Sequence, residues 1–455
     1  DQFSCNGRLN VICPNRLNPV GLAVANAFPA PNVGTANQRF NNYLLSPGIG
    51  TDDFSSHVAR VDQNFGEKQR MFFRYVYNRR DQFGYGDNRL PETSPGLDAQ
   101  DPLVRLNHGA VVDSVTTLSE KSILNLRVSY TRFIQAAYRT RSSPFDPTSL
   151  GFPASFASQL PVSIVPRFQF EQYPNFGPRN PSQNTTNVIS FQPSLSRVSG
   201  NHSYKLGGDI RDLRVNAKGA SFSFGGGQFL FNRDTTSRVP TADTGTGSAI
   251  ASLLLGYPSG GTVDTLPQIA FNWRYYAVYL HDDWKISPRL TLNLGIRYDI
   301  ETAPVERYNR QNRGFAFNQA SPLASQIQGR PGISDCPACQ NLRGGLLFAG
   351  VNGQPEAAFE NDFNNIQPRV GVAYRLTEKT VIRGGYGLFY LPQAEFGGTT
   401  GFSVSTPFIP TVGGGANQFI PAFTLSNPFP NGLVQPTGSS LGQNTQLGGN
   451  IIFNL

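Results

Sequence analysis

Strict alternation of apolar and polar side chains is the feature that most limits how this chain can fold. From Leu290 to Ile300 one parity is apolar, whereas the other carries Asn293, Arg297 and Asp299. Successive side chains of a strand point to opposite faces, so the pattern predicts a strand with one apolar and one polar face. The alternation recurs at residues 124–131, 203–211 and 369–376, and in a mixed form at 71–77.

Short polar turns join these segments in pairs. The turns lie at residues 66–68, 119–121, 199–201, 286–288 and 377–379, which predicts five hairpins and ten strands. The connections between hairpins are long, roughly residues 80–105, 135–185, 216–270 and 302–366, and are rich in Gly, Pro, Asn and Ser. Short and long links therefore alternate along the chain.

This alternation of link lengths decides between two architectures. A soluble β-sandwich has links of about 4–6 residues, whereas an outer-membrane barrel has short periplasmic turns and long extracellular loops. The sequence therefore predicts an all-β fold, an antiparallel transmembrane β-barrel. Tyr276 and Trp284 share a parity eight residues apart and could reach both interfacial aromatic girdles, while Trp273 has the opposite parity. A soluble β protein whose apolar parities meet in one core is the alternative.

Composition excludes several other classes. Only 15% of residues are charged against about 25% in ordinary soluble domains, and the aromatic share of 12% argues against disorder. No apolar run approaches the ~18 residues of a transmembrane helix. The net charge is +8, but basic residues occur on every strand instead of one face, so we expect no nucleic-acid partner. No signal peptide opens the chain, which predicts a mature, a cytosolic or a truncated chain.

Residues 276–298 (YAVYLHDDWKISPRLTLNLGIRY) closely resemble the barrel strands of TonB-dependent outer-membrane receptors, specifically the Oar-like group. Residues 61–75, 202–211, 367–374 and 380–390 resemble the same group, in the same order. Residues 18–32 look like the link that follows the plug domain in that family. The resemblance covers residues 18 to about 400.

The resemblance implies a fragment of about half of a 22-stranded barrel, because ten strands are too few and no plug or TonB box is recognisable. It divides the chain into a link after a missing plug (residues 1–50), barrel strands and loops (51–400), and a Gly/Pro/Asn-rich extracellular region (401–455). The implied partners are outer-membrane lipid and lipopolysaccharide, and the plug and TonB complex through absent segments. On its own, the chain is expected to form an open curved sheet with disordered long loops.

Candidate functional residues are the charged side chains of the polar parities, which we expect to face the barrel lumen. They are Arg127, Lys205, Asp209, Arg211, Arg297, Asp299, Glu301 and Arg375. These arginines are expected either to pair with carboxylates and hydrogen-bond a plug, or to attract anionic solutes. His281, Asp282 and Asp283 form a solvated cluster near a turn, so we expect no catalytic set, no metal, no cofactor and no enzyme activity.

The four cysteines fall into two local pairs, Cys5 with Cys13 and Cys336 with Cys339. A structural zinc needs four ligands, and the histidines lie far from both pairs in sequence. A redox Cys-x-x-Cys would open a helix in a βαβ setting, which the flanking glycines do not favour. Two disulfides formed in an oxidising compartment are therefore the preferred interpretation.

The resemblance implies an energy-coupled importer of the bacterial outer membrane for an unidentified solute of the siderophore, glycan or peptide class. A passive outer-membrane pore or a surface adhesin without energy coupling is the alternative. The long loops carry no readable motif for the solute.

Overall fold

A computed structural model describes most of the chain. The described residues are 3–35, 38, 40–44, 50–83, 103–137, 144–171, 173–177, 181–219, 223–239, 245–391, 396, 398–412 and 420–445. The strands within them are β1 Ser4–Cys5, β2 Arg8–Leu9, β3 Thr51–Phe65, β4 Gln69–Phe83, β5 Leu103–Ser119, β6 Ser122–Ala137, β7 Arg167–Phe170, β8 Ser182–Ser199, β9 His202–Lys218, β10 Gln228–Phe231, β11 Gly260–Thr265, β12 Ile269–Ser287, β13 Leu290–Glu301, β14 Val305–Glu306, β15 Asn312–Phe315, β16 Leu346–Phe348, β17 Asp362–Thr377, β18 Thr380–Gly387 and β19 Val404–Pro407.

The helices of the described residues are short. They are α1 Pro19–Ala27, α2 Ala154–Ala157, α3 Ala249–Leu254, α4 Ala324–Ile327 and α5 Pro337–Gln340, with 3₁₀ turns at Pro14–Arg16, Pro147–Leu150, Asp234–Thr236 and Gly442–Asn444. None of these helices has the length and apolar character needed to cross a bilayer.

One large antiparallel sheet contains all ten predicted strands, so the all-β prediction is confirmed. Its order is β18-β17-β13-β12-β9-β8-β6-β5-β4-β3, and β14 adds to the end of β12. The five predicted hairpins are neighbours in this order, and links of two or three residues join them. Among the described residues β3 pairs only with β4 and β18 only with β17, so the sheet stays open.

Tight turns fix most of the hairpins. Gly66 and Gly200 adopt φ of 66° and 56° in two of the turns, a conformation that costs glycine little because it has no Cβ. In three other hairpins the register shifts by one residue close to the turn, at Thr117/Ser119, Lys285/Ser287 and Arg375/Thr377. These β-bulges change which residues lie opposite each other along the rest of each hairpin.

Exposure on the large sheet is the reverse of that in a water-soluble protein. On the apolar face, Val278, Leu280 and Ile296 are 51%, 46% and 51% exposed. On the polar face, Asp209 and Asp299 are buried. A soluble protein rarely exposes so continuous an apolar surface, so this face requires an apolar environment. In the described strands the apolar parities are exposed and do not meet in one core, which contradicts the soluble alternative.

A second folded unit, which we call the cap, is built from segments outside the hairpins. Its sheet has the order β19-β11-β10-β7, with β10 parallel to β7. Its core draws on chain segments from Val20 to Leu433 and is dominated by phenylalanine, including Phe168, Phe229 and Phe408. The expectation of disordered long loops is therefore wrong for these residues, because their rings supply enough apolar surface to form a core of their own.

Helix α1 attaches the first segment of the chain to the cap. The Asn18 side chain caps the helix by accepting hydrogen bonds from the backbone N–H groups of Val20 and Gly21, at 3.0 and 3.2 Å. Its amide donates to Ser426 Oγ at 2.8 Å. Gly21 lies against Leu253 of α3 so closely that a Cβ would be 2.0 Å from the Leu253 carbonyl oxygen. Residues 18–27 therefore lie within the cap, at the long-connection end of the sheet.

The structure contains both cysteine pairs as disulfides. Cys5 is bonded to Cys13 and Cys336 to Cys339, with Cα–Cα distances of 5.1 and 5.2 Å. The Cys5–Cys13 bridge closes a short loop in the first segment of the chain. The Cys336–Cys339 bridge closes one in the long connection between β13 and β17.

Candidate functional site on the polar face of the sheet

The eight charged residues expected to face the lumen all lie on one face of the large sheet. Residues directly opposite each other on paired strands point to the same face. In this register, Arg211 of β9 lies opposite Tyr275 of β12, and Tyr275 lies opposite Glu301 of β13. Lys205 lies opposite His281, which has the parity of Tyr275 in β12. Arg127, Asp209, Arg297, Asp299 and Arg375 have the same parity in their strands. The strand pattern therefore concentrates these charges on a single wall.

Tyr275 is the centre of a hydrogen-bond network on this wall. Its hydroxyl accepts a hydrogen bond from Arg297 Nη2 at 2.7 Å and donates one to Asp299 Oδ2 at 2.8 Å. Gln367 Nε2 donates to the same carboxylate at 2.5 Å, and Arg297 Nε lies 2.7 Å from Asp299 Oδ1. The Arg211 guanidinium stands 5.0 Å from the centroid of the Tyr275 ring. This network joins strands β9, β12, β13 and β17.

Two ion pairs on this wall share one arrangement, in which the carboxylate is buried and the guanidinium is partly exposed. Arg127 Nε lies 2.7 Å from Asp113 Oδ2, and the two side chains are 46% and 3% exposed. Asn125 also donates to Asp113, at 3.0 Å. Arg211 and Asp209 form a bidentate pair at 2.5 and 3.0 Å with 38% and 9% exposure. The wall therefore presents cationic groups to whatever occupies the space in front of it.

A basic recess lies on the same face beside the network. Its volume is about 320 Å³, and Lys205, His281, Arg297 and Arg369 line it around Gly295. No carboxylate is among the described residues that line it. The absence of a side chain at Gly295 leaves room between His281 and Arg369, because a Cβ there would lie 3.2 Å from His281 Nδ1. The recess can hold an anionic group.

The His281, Asp282 and Asp283 cluster does not form a single site. His281 Nε2 and Asp283 Oδ1 lie 3.0 Å apart on the polar face. Asp282 is on the opposite face, where its carboxylate lies 2.7 Å from His202 Nδ1. Across the described residues no group of three His, Cys, Asp or Glu side chains is arranged to hold a metal ion.

Sequence reasoning missed the neutral members of the network, Tyr275 and Gln367, and the partner of Arg127, Asp113. Tyr275 and Gln367 have the parity of the polar face, and this was the available signal. Counting back from the turn would place Asp113 opposite Val128, but the bulge at Thr117/Ser119 brings it opposite Arg127 instead.

Several solved structures align with this chain at low sequence identity. The chain aligns with the FpvAI–pyocin S2 complex (TM-score 0.39, 11% identity, 76% of this chain and 37% of that one). It also aligns with the Escherichia coli outer membrane transporter YddB (0.38, 11%, 74% and 40%) and the Acinetobacter baumannii siderophore receptor PiuA (0.36, 11%, 74% and 42%). The chain thus spans about two fifths of the length of these proteins. No curated protein matches it.

The match to a protein family covers nearly the whole chain. Residues 2–453 match the outer membrane beta barrel domain family. Such a barrel exposes its apolar face to lipid and its polar face to the lumen, as the inverted exposure of the large sheet requires. The chain therefore belongs to the family of outer membrane beta barrel domains.

Proposed function

We propose that this chain is part of the barrel of an energy-coupled, TonB-dependent receptor that imports a solute across the bacterial outer membrane. The single observation that carries the proposal is that, in the described part of the chain, ten long strands form an open sheet with β3 and β18 at its edges. Each free edge would leave backbone groups unsatisfied in lipid, and we infer that further strands pair with these edges. The complete barrel then has more than ten strands.

Barrel size connects this observation to function. Barrels of 16–18 strands leave an aqueous channel, whereas 22-stranded transporters have a lumen that is filled by a plug. The charged wall around Tyr275 and the basic recess provide the hydrogen-bonding surface that a plug or a polar solute needs. The cap adds a folded unit at the end where barrels of this class have their extracellular loops.

The finer parts of the proposal are the Oar-like subgroup, the plug and TonB partners, and a solute of the siderophore, glycan or peptide class. The division at residues 50 and 400 is also a proposal. Segments from the first and last of these ranges share the core of the cap, since Val20, Val24, Phe408 and Leu433 are all members of it. Residues 18–27 and 404–407 are thus parts of one folded unit.

The test measures solute uptake by cells that express the receptor, with and without a protonophore that removes the energy source of the inner membrane. Iron–siderophore, oligosaccharide and peptide mixtures are the probes. We expect accumulation of one class that the protonophore abolishes. Arg211→Gln, which alters the lumen wall, should reduce uptake, whereas Arg197→Gln on the apolar face near the short turns should leave uptake unchanged.

Planar-bilayer conductance separates the alternatives. A plugged receptor should conduct little, whereas a passive pore should give a steady conductance and uptake that the protonophore does not change. An adhesin should show neither uptake nor conductance. Either result would overturn the proposal of energy-coupled import.

A further inference from the structure

A second recess lies on the opposite, apolar face of the sheet, near the long connections. Arg132, Asn187, Arg214 and Asn272 lie directly opposite one another across β6, β8, β9 and β12, so their side chains share this face. They line a cavity of about 600 Å³, which Arg307 also borders from the segment after β14. Arg132, Asn187, Arg214 and Asn272 thus lie on the side of the sheet opposite the charged wall around Tyr275.

The position of the recess relative to the apolar face is defined by the strands themselves. In β6, Tyr130 lies two residues before Arg132 and Val128 lies two residues before Tyr130, so all three side chains are on the same face. In β12, Tyr276 lies four residues after Asn272 on the same face, and Val278 and Leu280 follow it on that face. Tyrosines at the edge of an apolar band mark the membrane interface. The recess therefore lies just beyond the apolar band, at the depth of lipid headgroups.

The end of the sheet identifies the leaflet. The recess is at the long-connection end, and long loops of outer-membrane barrels are extracellular. The neighbouring headgroups are accordingly those of the outer leaflet.

The charges of the recess favour an anion. Three arginines and one aspartate line it, which gives a net charge of 3 − 1 = +2. Asp212 holds Arg214, with Nη2 2.7 Å from Oδ2. Asn187 Oδ1 accepts hydrogen bonds from Tyr130 Oη at 3.0 Å and from Arg132 Nη1 at 3.1 Å, which orients that guanidinium.

The spacing of the arginines suits a phosphate group. Arg132 and Arg214 are separated by one intervening strand, hence by about 10 Å between their backbones. Two long side chains at that spacing can both reach a phosphate placed over Asn187, and guanidinium groups bind phosphate oxygens in a bidentate manner. On a surface that faces lipid, the phosphate available is that of a lipid headgroup.

We propose that this recess binds the phosphate of an outer-leaflet lipid headgroup, with Arg132, Arg214 and Arg307 as the binding residues. The proposal does not depend on solute import, since it concerns the other face of the sheet.

The test purifies the receptor from outer membranes in mild detergent and titrates it with diphosphorylated lipid A by native mass spectrometry. Arg132→Gln combined with Arg214→Gln should weaken binding about 30-fold, because each cation near an anionic lipid surface contributes roughly fivefold. Arg197→Gln is the matched control, since Arg197 is on the same face at the short-turn end. Its affinity should equal that of the unmodified protein.

Further arms identify the ligand and protect the test from a folding failure. Dephosphorylated lipid A should bind the unmodified protein as weakly as the diphosphorylated lipid binds the double variant. If the double variant lacks the heat-modifiable band of a folded barrel, Arg307→Gln, which lies outside the strands, should by itself weaken binding about fivefold.

Three results would each overturn the proposal. One is equal binding of the two forms of lipid A. Another is undiminished lipid binding by a folded double variant. If the double variant does not fold, undiminished binding by Arg307→Gln has the same meaning. The third is displacement of lipid A by inorganic phosphate beyond that caused by sodium chloride of the same ionic strength, which would assign the recess to a free anion.

Discussion

Leu280→Arg tests the assignment of the two faces most directly. Leu280 is 46% exposed on the apolar face, and the residues opposite it are Leu206 and Ile296. Leu280 lies four residues from Tyr276 and four from Trp284, so it is at the midpoint between these two aromatic side chains of its own face. The substitution places a charge in the centre of the apolar band.

The size of the effect follows from that depth. Four residues of strand measure about 14 Å, which at a tilt of ~40° corresponds to about 10 Å of depth on either side. An arginine at the bilayer midplane of a barrel costs ~2–4 kcal/mol, and the cost falls to ~0–1 kcal/mol near the interfaces. We therefore expect the free energy of unfolding to fall by about 2–4 kcal/mol.

Asn293→Arg is the matched control on the polar face. The Asn293 amide donates to the Asp283 carboxylate, so an arginine there would gain a carboxylate partner. We expect a loss below about 1 kcal/mol, as for a solvated ion pair. The assay is the unfolding of the reconstituted receptor in urea, followed by its heat-modifiable band. Equal losses for the two variants, or a loss below about 0.5 kcal/mol at Leu280, would refute the assignment of the faces.

Three further predictions concern topology and the cap. A cysteine at Asn175 should react with an impermeant thiol reagent on intact cells and one at Glu120 should not, although both positions are exposed; labelling of both would contradict the barrel topology. Gly21→Val should separate α1 from α3 and cost about 1–3 kcal/mol, seen as faster proteolysis of the cap, and unchanged proteolysis would contradict the close contact. The hydrogen bond from Arg233 holds the pKa of Glu171 below its ordinary value. The ion pair therefore stabilises the cap fully above pH 4.5, and this stabilisation is lost as the pH falls through the lowered pKa. Arg233→Gln should remove this loss in proteolysis measured from pH 6 to 3, and an unchanged profile would count against the ion pair.

The strands were predictable because their signal is local. The two-residue alternation and the short turns place the hairpins within a few residues of where they occur. For example, the predicted connections at 216–270 and 302–366 leave a hairpin at 271–301, and the observed hairpin of β12 and β13 runs from Ile269 to Glu301. Parity alone also puts Arg297 and Asp299 on one face. What parity does not determine is the partner across the hairpin, and a bulge of one residue is enough to bring Asp113 opposite Arg127.

The cap was not predictable for a different reason. Its core combines phenylalanines from separate segments outside the hairpins, for example Phe168, Phe229 and Phe408, and no single segment shows the periodicity of a folded unit. The glycine and proline content of these connections is typical of loops. Only the large sheet, by bringing the ends of its strands together, places these rings close enough to pack.

The hydrogen bond from Asn18 to Ser426 joins residues 408 positions apart, and it has a consequence for the order of folding. Closing a loop of that length costs entropy before any contact compensates for it, and contacts distant in sequence slow folding. Once the strands between them have paired, the two residues are already near each other and little of that cost is left. The cap should thus assemble late, and its resistance to protease should appear only after the hairpins of the large sheet have joined.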